Sequence, residues 1–447
     1  MRRVLIVSIA ILALMASSAV MAGEQQVSDR LLEILKERQI ISENEYAELS
    51  DLADQMQEDQ NSVDQQLEAL DASISEYLAK EGEDEASVAV MHKKGKGFGF
   101  STGMFEMYFG GLFQFQYYGL DVDNGRDTNN FDVKEARIQF YGKAFVEDFT
   151  YKFQWQGDGG VTLLDAWANY KVCDGAQVRI GQFKTPYSRQ ALNSTGKLAL
   201  FDRSIVIGEY STGRDIGVMF HDVFAFEEGE DMAIEWALAF VNGDGTNVNG
   251  NDNNWLGWVA RLGFYPFGFV KYGESDLANT QDMKFGVAGS YYSYRNRPSG
   301  DTDRTDGIEL DAVVAWSGLY ATGEWHKRKT DMAGDSSYKD SGWFLQAGFV
   351  IPDTEFEVLG RYSRIDWNKS RTGLSSTSGW QLGVAWYPGQ EGHPFKALLA
   401  FGYMEVDEAN GAGAGSGSPP KPTYDIADIS LNYGDTYFLR LAFQLDW

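Results

Sequence analysis

The sequence predicts an all-β transmembrane barrel of sixteen antiparallel strands, preceded by an N-terminal α-helical coiled-coil segment. Three observations carry this. The chain opens on an export signal, it is rich in aromatics yet carries many charges, and from Met104 to Trp447 side-chain character alternates with period two.

The export signal occupies residues 1–22. Arg2 and Arg3 precede an apolar run from Val4 to Met15, then Ser17, Ser18, Val20 and Ala22, with cleavage expected after Ala22. The run is too short for a spanning helix with polar flanks. No later apolar run is long enough to cross a membrane as a helix. Cys173 is the single cysteine, which rules out an internal disulfide and a lipid-modified N-terminus. Aromatics make up 14% of the residues, with 49 Gly and only 9 Pro. Barrel strands reconcile such a composition with hydrophilicity because lipid-facing and pore-facing residues alternate. The formal net charge of −27 argues against a nucleic-acid partner.

Residues 23–81 read as helical. Ser28 can cap a short helix bearing Leu31, Leu32, Ile34 and Leu35, and Ser42 with Glu45 forms a capping box opening a second. There Leu49, Met56, Val63, Leu70 and Tyr77 recur every seven residues, and Ala53, Gln60, Leu67 and Ile74 precede the last four by three. This a/d pattern, sustained over about four heptads, predicts a coiled coil, most simply a trimer. Residues 82–103 are a charged linker containing Gly and Lys, expected to be flexible.

Residues 104–447 form the predicted barrel. Phe105, Met107, Phe109, Phe113, Phe115 and Tyr117 share one face of the first strand, opposite Glu106, Gln114 and Gln116. Ala136, Ile138, Phe140 and Ala144 oppose Glu135, Arg137, Gln139 and Lys143 in the second. Tyr151, Phe153 and Trp155 oppose Lys152, Gln154 and Gln156 in the third; Leu164, Ala166, Ala168 and Tyr170 oppose Asp165, Trp167, Asn169 and Lys171 in the fourth. Further strands are expected near 176–184, 213–221, 231–242, 254–266, 281–294, 305–317, 318–329, 341–351, 354–366, 378–388, 395–406 and 434–447. Tight turns are expected at 146–149, 172–176 and 351–354. They alternate with long connections rich in Asp, Asn, Gly and Ser, as short periplasmic turns and long outer loops would. Two connections, 222–230 and 267–280, are longer than that rhythm allows. The last strand sets Tyr437, Leu439, Leu441, Phe443, Leu445 and Trp447 against Arg440, Gln444 and Asp446.

Between Thr185 and Gly213 alternation stops. This third outer loop carries Leu198, Leu200, Phe201, Ile205, Val206 and Ile207, which a freely solvated loop does not need. A sixteen-stranded barrel is wide enough to hold it against the inside wall. Lys184, Arg189, Lys197, Arg203 and Arg214 then become candidate constriction residues. Strand parity adds Arg137, Lys143, Lys152, Lys171, Arg179, Arg261, Lys284, Arg361 and Arg440 as pore-wall candidates. Glu106, Glu135, Asp165, Glu235, Glu309, Asp311, Glu324 and Glu357 share that wall. Rings of Arg or Lys select anions electrostatically, and Arg suits phosphate through paired hydrogen bonds.

The run Gly181-Gln182-Phe183-Lys184-Thr185-Pro186-Tyr187-Ser188, with Phe201-Asp202-Arg203, Arg214 and Gly217, resembles the phosphate-selective porins O and P. Glu135-Ala136-Arg137 and the Leu35…Ile40-Ile41-Ser42…Glu45-Tyr46…Leu49 element resemble that family too. The resemblance implies a homotrimer of sixteen-stranded barrels in a Gram-negative outer membrane, passing small anions or other small hydrophilic solutes. The helical segment would lie in the periplasm. The alternative is a general or cation-preferring porin whose coiled coil also tethers the outer membrane to the cell wall. An outer-membrane enzyme is a remote alternative. His92, His221, His326 and His393 sit in no nucleophile motif, so no catalytic residue is expected. The Asn242–Asn254 stretch lacks the spacing of a calcium loop, and no metal or cofactor is expected.

Overall fold

A computed structural model describes residues 89–93, 97–102, 104–123, 127–225, 232–251, 253–296, 303–332, 337–389, 395–408 and 434–447. The expected signal and coiled coil (1–81) and most of the last outer loop (409–433) lie outside these residues.

Sixteen antiparallel strands close on themselves. They are β1 (Phe105–Val122), β2 (Thr128–Ala144), β3 (Val146–Gln156), β4 (Thr162–Cys173), β5 (Ala176–Lys184) and β6 (Arg214–Ala225). Next come β7 (Ala233–Val241), β8 (Gly257–Tyr265), β9 (Lys284–Asn296), β10 (Asp303–Trp316) and β11 (Leu319–Asp331). The set ends with β12 (Ser337–Val350), β13 (Phe356–Asp366), β14 (Leu374–Trp386), β15 (Phe395–Glu408) and β16 (Gly434–Asp446). Each pairs with the next, and β16 pairs with β1 from Thr436↔Val122 to Asp446↔Leu112. Among the described residues no helix is long and apolar enough to cross a membrane.

Burial is inverted relative to a water-soluble sheet. Polar Gln114, Gln116, Gln346, Arg440 and Gln444 are buried, while Leu345, Leu382, Leu399, Leu439 and Leu445 are exposed. Apolar residues line the outside of strand after strand. A continuous apolar surface of that extent needs a non-aqueous neighbour.

The closing seam continues to Trp447. The Gly111 amide donates to the Trp447 carbonyl (2.7 Å) and the Trp447 amide to the Gly111 carbonyl (3.0 Å). A Cβ at Gly111 would lie 2.3 Å from the Trp447 ring, so glycine is what admits the indole. Trp447→Ser is expected to lower the fraction of chain that runs as a folded, heat-modifiable species on unboiled gels. An unchanged fraction would remove this role for the terminal aromatic.

Three features differ from expectation. Within the expected flexible linker, Ala89–Lys93 and Gly97–Thr102 are short strands. The second pairs with β1 from Phe98↔Phe109 to Thr102↔Phe105, and Phe100 meets Phe109 edge-on at 5.7 Å. The turn expected at 146–149 lies instead at Phe145, whose φ of 67° reverses the chain in one residue. Finally, residues 266–283, which join β8 to β9 at the short-turn end, pack against buried residues of several strands and of the 185–213 loop.

Candidate functional site at the pore constriction

Residues 185–213, hereafter the inner loop, leave β5 and return into β6. Ser188 accepts a hydrogen bond from the Ala191 amide and caps a single turn, α1 (Arg189–Leu192). Ser204 does the same for the Val206 amide at the start of α2 (Ile205–Tyr210). The loop's apolar residues touch strands about half the barrel's circumference away. Ile205, Val206, Ile207 and Tyr210 pack with Phe344, Ile365, Trp367, Met404 and Phe438. Ala199, Leu200 and Phe201 pack with Leu359, Ala385, Leu398 and Ala442.

Wall cations complete the attachment. Asp202 forms ion pairs with both Arg440 and Lys134. Arg361 Nη1 donates to the Asp202 carbonyl (2.8 Å), Lys396 Nζ to that of Leu198 (2.5 Å) and Arg440 Nη1 to that of Leu200 (3.3 Å). The Asp202 carboxyl is held below its ordinary value. Burial works against its ionisation, and the Arg440 and Lys134 charges outweigh burial. Glu209 pairs with Arg328, which also binds Asp340 (2.9 Å). Both acids of the loop are thus matched by wall bases.

The 266–283 segment meets the inner loop from the other end of the barrel. Glu274, buried, accepts from Gln190 Nε2 (2.6 Å), the Ala199 amide (2.8 Å) and Gln346 Nε2 (2.9 Å). Arg189 Nη2 donates to the carbonyls of Val270 (2.8 Å) and Lys271 (2.9 Å), with its guanidinium 4.9 Å from the Tyr272 ring centre.

Open space remains on the other side of the lumen. A cavity of about 200 Å³ on the long-loop side is lined by Lys184, Arg203, Arg214 and Arg137, among others. A second, of about 400 Å³, lies toward the short turns and is lined by Lys152, Arg179, Arg261, Asp165, Asp222 and Glu235, with Arg137, Lys184 and Arg214 shared. Asp165 binds both Arg214 (2.7 Å) and Lys152 (3.2 Å). Arg137 is held by Glu135 (2.7 Å) and Gln156 (2.7 Å). Lys184 Nζ donates to the carbonyls of Ala191 (2.8 Å), Leu192 (3.3 Å) and Asn193 (2.6 Å), and Arg203 Nη2 to that of Asn193 (3.0 Å). Carbonyl oxygens orient these cations without cancelling their charge. Gly181, at φ 114°, lies between Arg179 and Lys184. Its turned backbone lets two residues five apart line one cavity, although plain alternation would separate them.

Of the residues expected at the constriction, Lys184, Arg203 and Arg214 line the cavities, with Arg137, Lys152 and Arg179 from the wall set. Arg189 is buried against the 266–283 segment, and Lys197 is exposed on the single turn Thr195–Lys197; neither lines a cavity described above. Arg361 and Arg440 hold the loop. Arg261 lies among Glu235, Glu309 and Asp311. Lys143 and Lys171 sit near the short-turn rim beside Glu147 and Asp174, and Lys284 begins β9. Lys134 was hidden from parity by a β-bulge: β1–β2 pairing skips it between Gln114↔Glu135 and Phe115↔Val133, so Lys134 and Glu135 both turn inward. Lys396, next to outward Phe395, was legible by parity.

Residues 105–301 match the family model described as phosphate-selective porin O and P. The structure is similar to that of an anion-selective porin from Comamonas acidovorans, with a TM-score of 0.54 and 11% identity, covering 76% of this chain and 99% of that one. It is also similar to Salmonella typhi OmpF in complex with daunomycin, with a TM-score of 0.52 and 13% identity, covering 80% of this chain and all of that one. Likeness at such identity establishes a shared fold. A protein of Aquifex aeolicus described as uncharacterized is 28% identical over 222 residues, 44% of this chain and 52% of that relative. The chain therefore spans about half the length of the curated relative it matches.

Proposed function

We propose that the chain is a Gram-negative outer-membrane channel for passive diffusion of small hydrophilic solutes, with a modest preference for phosphate-like anions set by the inner loop. The supporting observation is the distribution of charge. Lys184, Arg203, Arg214, Arg137, Lys152 and Arg179 line the open cavities, while the acids of the loop are paired with Arg440, Lys134 and Arg328. In a narrow, partly dehydrated passage each charge weighs more than in bulk water. Charges on outer loops are screened over about 8 Å at physiological salt and weigh less. The working form proposed is a homotrimer, with the helical segment in the periplasm and within reach of the cell wall.

The test is a reversal potential across a KCl gradient in a planar bilayer, repeated with Lys184→Gln and Arg203→Gln. Glutamine retains a donor for the loop carbonyls while removing the charge. The native channel is expected to favour chloride and each variant to shift toward potassium. A native channel preferring potassium, indifferent to both substitutions, would show that the acidic outer loops govern permeation.

A further inference from the structure

The two cavities differ in chemistry. The smaller is lined mainly by polar atoms, whereas the larger exposes more apolar than polar wall. Trp167 of β4, Met219 of β6, and Pro186 and Leu192 of the inner loop form that apolar part. Beside them Arg179 lies with its guanidinium 4.2 Å from the Trp167 ring centre. Stacking fixes the guanidinium plane and leaves its edge as the direction for hydrogen bonding. The Nε of Arg179 is buried and has no hydrogen-bond partner among the described residues. Lys152 also lines this cavity, where Asp165 is shared between it and Arg214. A fully hydrated inorganic anion gains nothing from a wall of Trp, Met, Leu and Pro. A flat apolar ring bearing a carboxylate uses both parts.

We propose that this cavity is a binding subsite for amphipathic organic anions of the aryl carboxylate class. The carboxylate meets the edge of Arg179, and the ring lies against Met219, Pro186 and Leu192. This rests on the reading of the chain as an anion-preferring channel and adds a solute class to it. A volume of about 400 Å³ is in the range of small-molecule sites. A carboxylate on Arg179 gains a charge-assisted contact, and the ring leaves water.

Single channels in KCl, exposed in turn to benzoate, acetate and inorganic phosphate, test this. Benzoate is expected to interrupt the current at about tenfold lower concentration than acetate, which has the same charge but no ring. Inorganic phosphate should resemble acetate. Arg179→Gln and Trp167→Ala should each bring benzoate to the level of acetate. Benzoate no better than acetate on the native channel overturns the subsite whether or not either variant folds. A benzoate advantage that survives both substitutions overturns it as well. The reversal potential of the same membranes separates the two readings. Chloride preference without benzoate preference refutes the subsite alone, and potassium preference refutes the anion-preferring reading on which the subsite rests.

Discussion

Asp202→Ala is expected to release the middle of the inner loop and raise single-channel conductance. The Asp202 carboxylate is buried between Arg440 and Lys134, themselves nearly inaccessible. Alanine removes the buried carboxylate that both cations share, a change that costs about 3–5 kcal/mol. Opposing release, Leu200 and Phe201 bury their side chains against β13 to β16, each contributing about 2 kcal/mol. The electrostatic loss is the larger single term, and it falls on the stretch farthest from the loop's two ends. Asp202→Asn should fall between native and Ala, because it keeps polar contacts and loses charge. Acid should do little until very low pH. The folded Asp202 carboxyl is depressed, so its contribution is complete above its unfolded value of about 4 and is lost only as pH falls through the lower folded one. Conductance traces of the three proteins decide the matter, and equal conductance would mean the apolar contacts alone hold the loop.

Arg189→Ala is expected to free the 266–283 segment. The guanidinium donates to two backbone carbonyls of that segment and lies within 3.4 Å of the Tyr265 and Tyr320 hydroxyls. Each buried carbonyl left without a donor costs about 1–3 kcal/mol. What remains near Lys271 is the packing of Val270 and Phe269 against Tyr265 and Tyr320, with Phe269 4.7 Å from the Tyr265 ring, while Glu274 keeps its bonds to Gln190, Ala199 and Gln346 farther along. Trypsin reads the result at Lys271, whose carbonyl is one of the two held. In detergent micelles cleavage after Lys271 should be about tenfold or more faster in the variant, because proteolysis tracks the opened population. Identical cleavage rates would show that Arg189 is not the clamp.

Strand number and facing were legible because they follow from chemistry repeated every second residue. A barrel wall has lipid on one side and a polar lumen on the other, so Phe153 beside Lys152, or Leu439 beside Arg440, reports its direction without knowledge of any partner. Parity therefore placed Arg137, Lys152 and Arg179 on the lumen side. It could not say what an inward charge meets. Arg361 and Arg440 point inward as expected, yet they bind a loop whose residues lie 159 and 240 positions away in sequence. Lys134 escaped because one bulged residue reverses the count. Segment 266–283 escaped for a different reason. Val270, Tyr272 and Glu274 have no period, and their burial comes from Arg189, Glu235 and Gln190, up to 84 residues distant in the chain. By itself the sequence determined that this chain builds a sixteen-stranded wall with charges directed inward, because alternation is a local property. Which of those charges hold the inner segments and which face the open cavities was decided only by tertiary structure. A buried carboxylate or carbonyl captures whichever cation the folded chain brings within hydrogen-bonding reach.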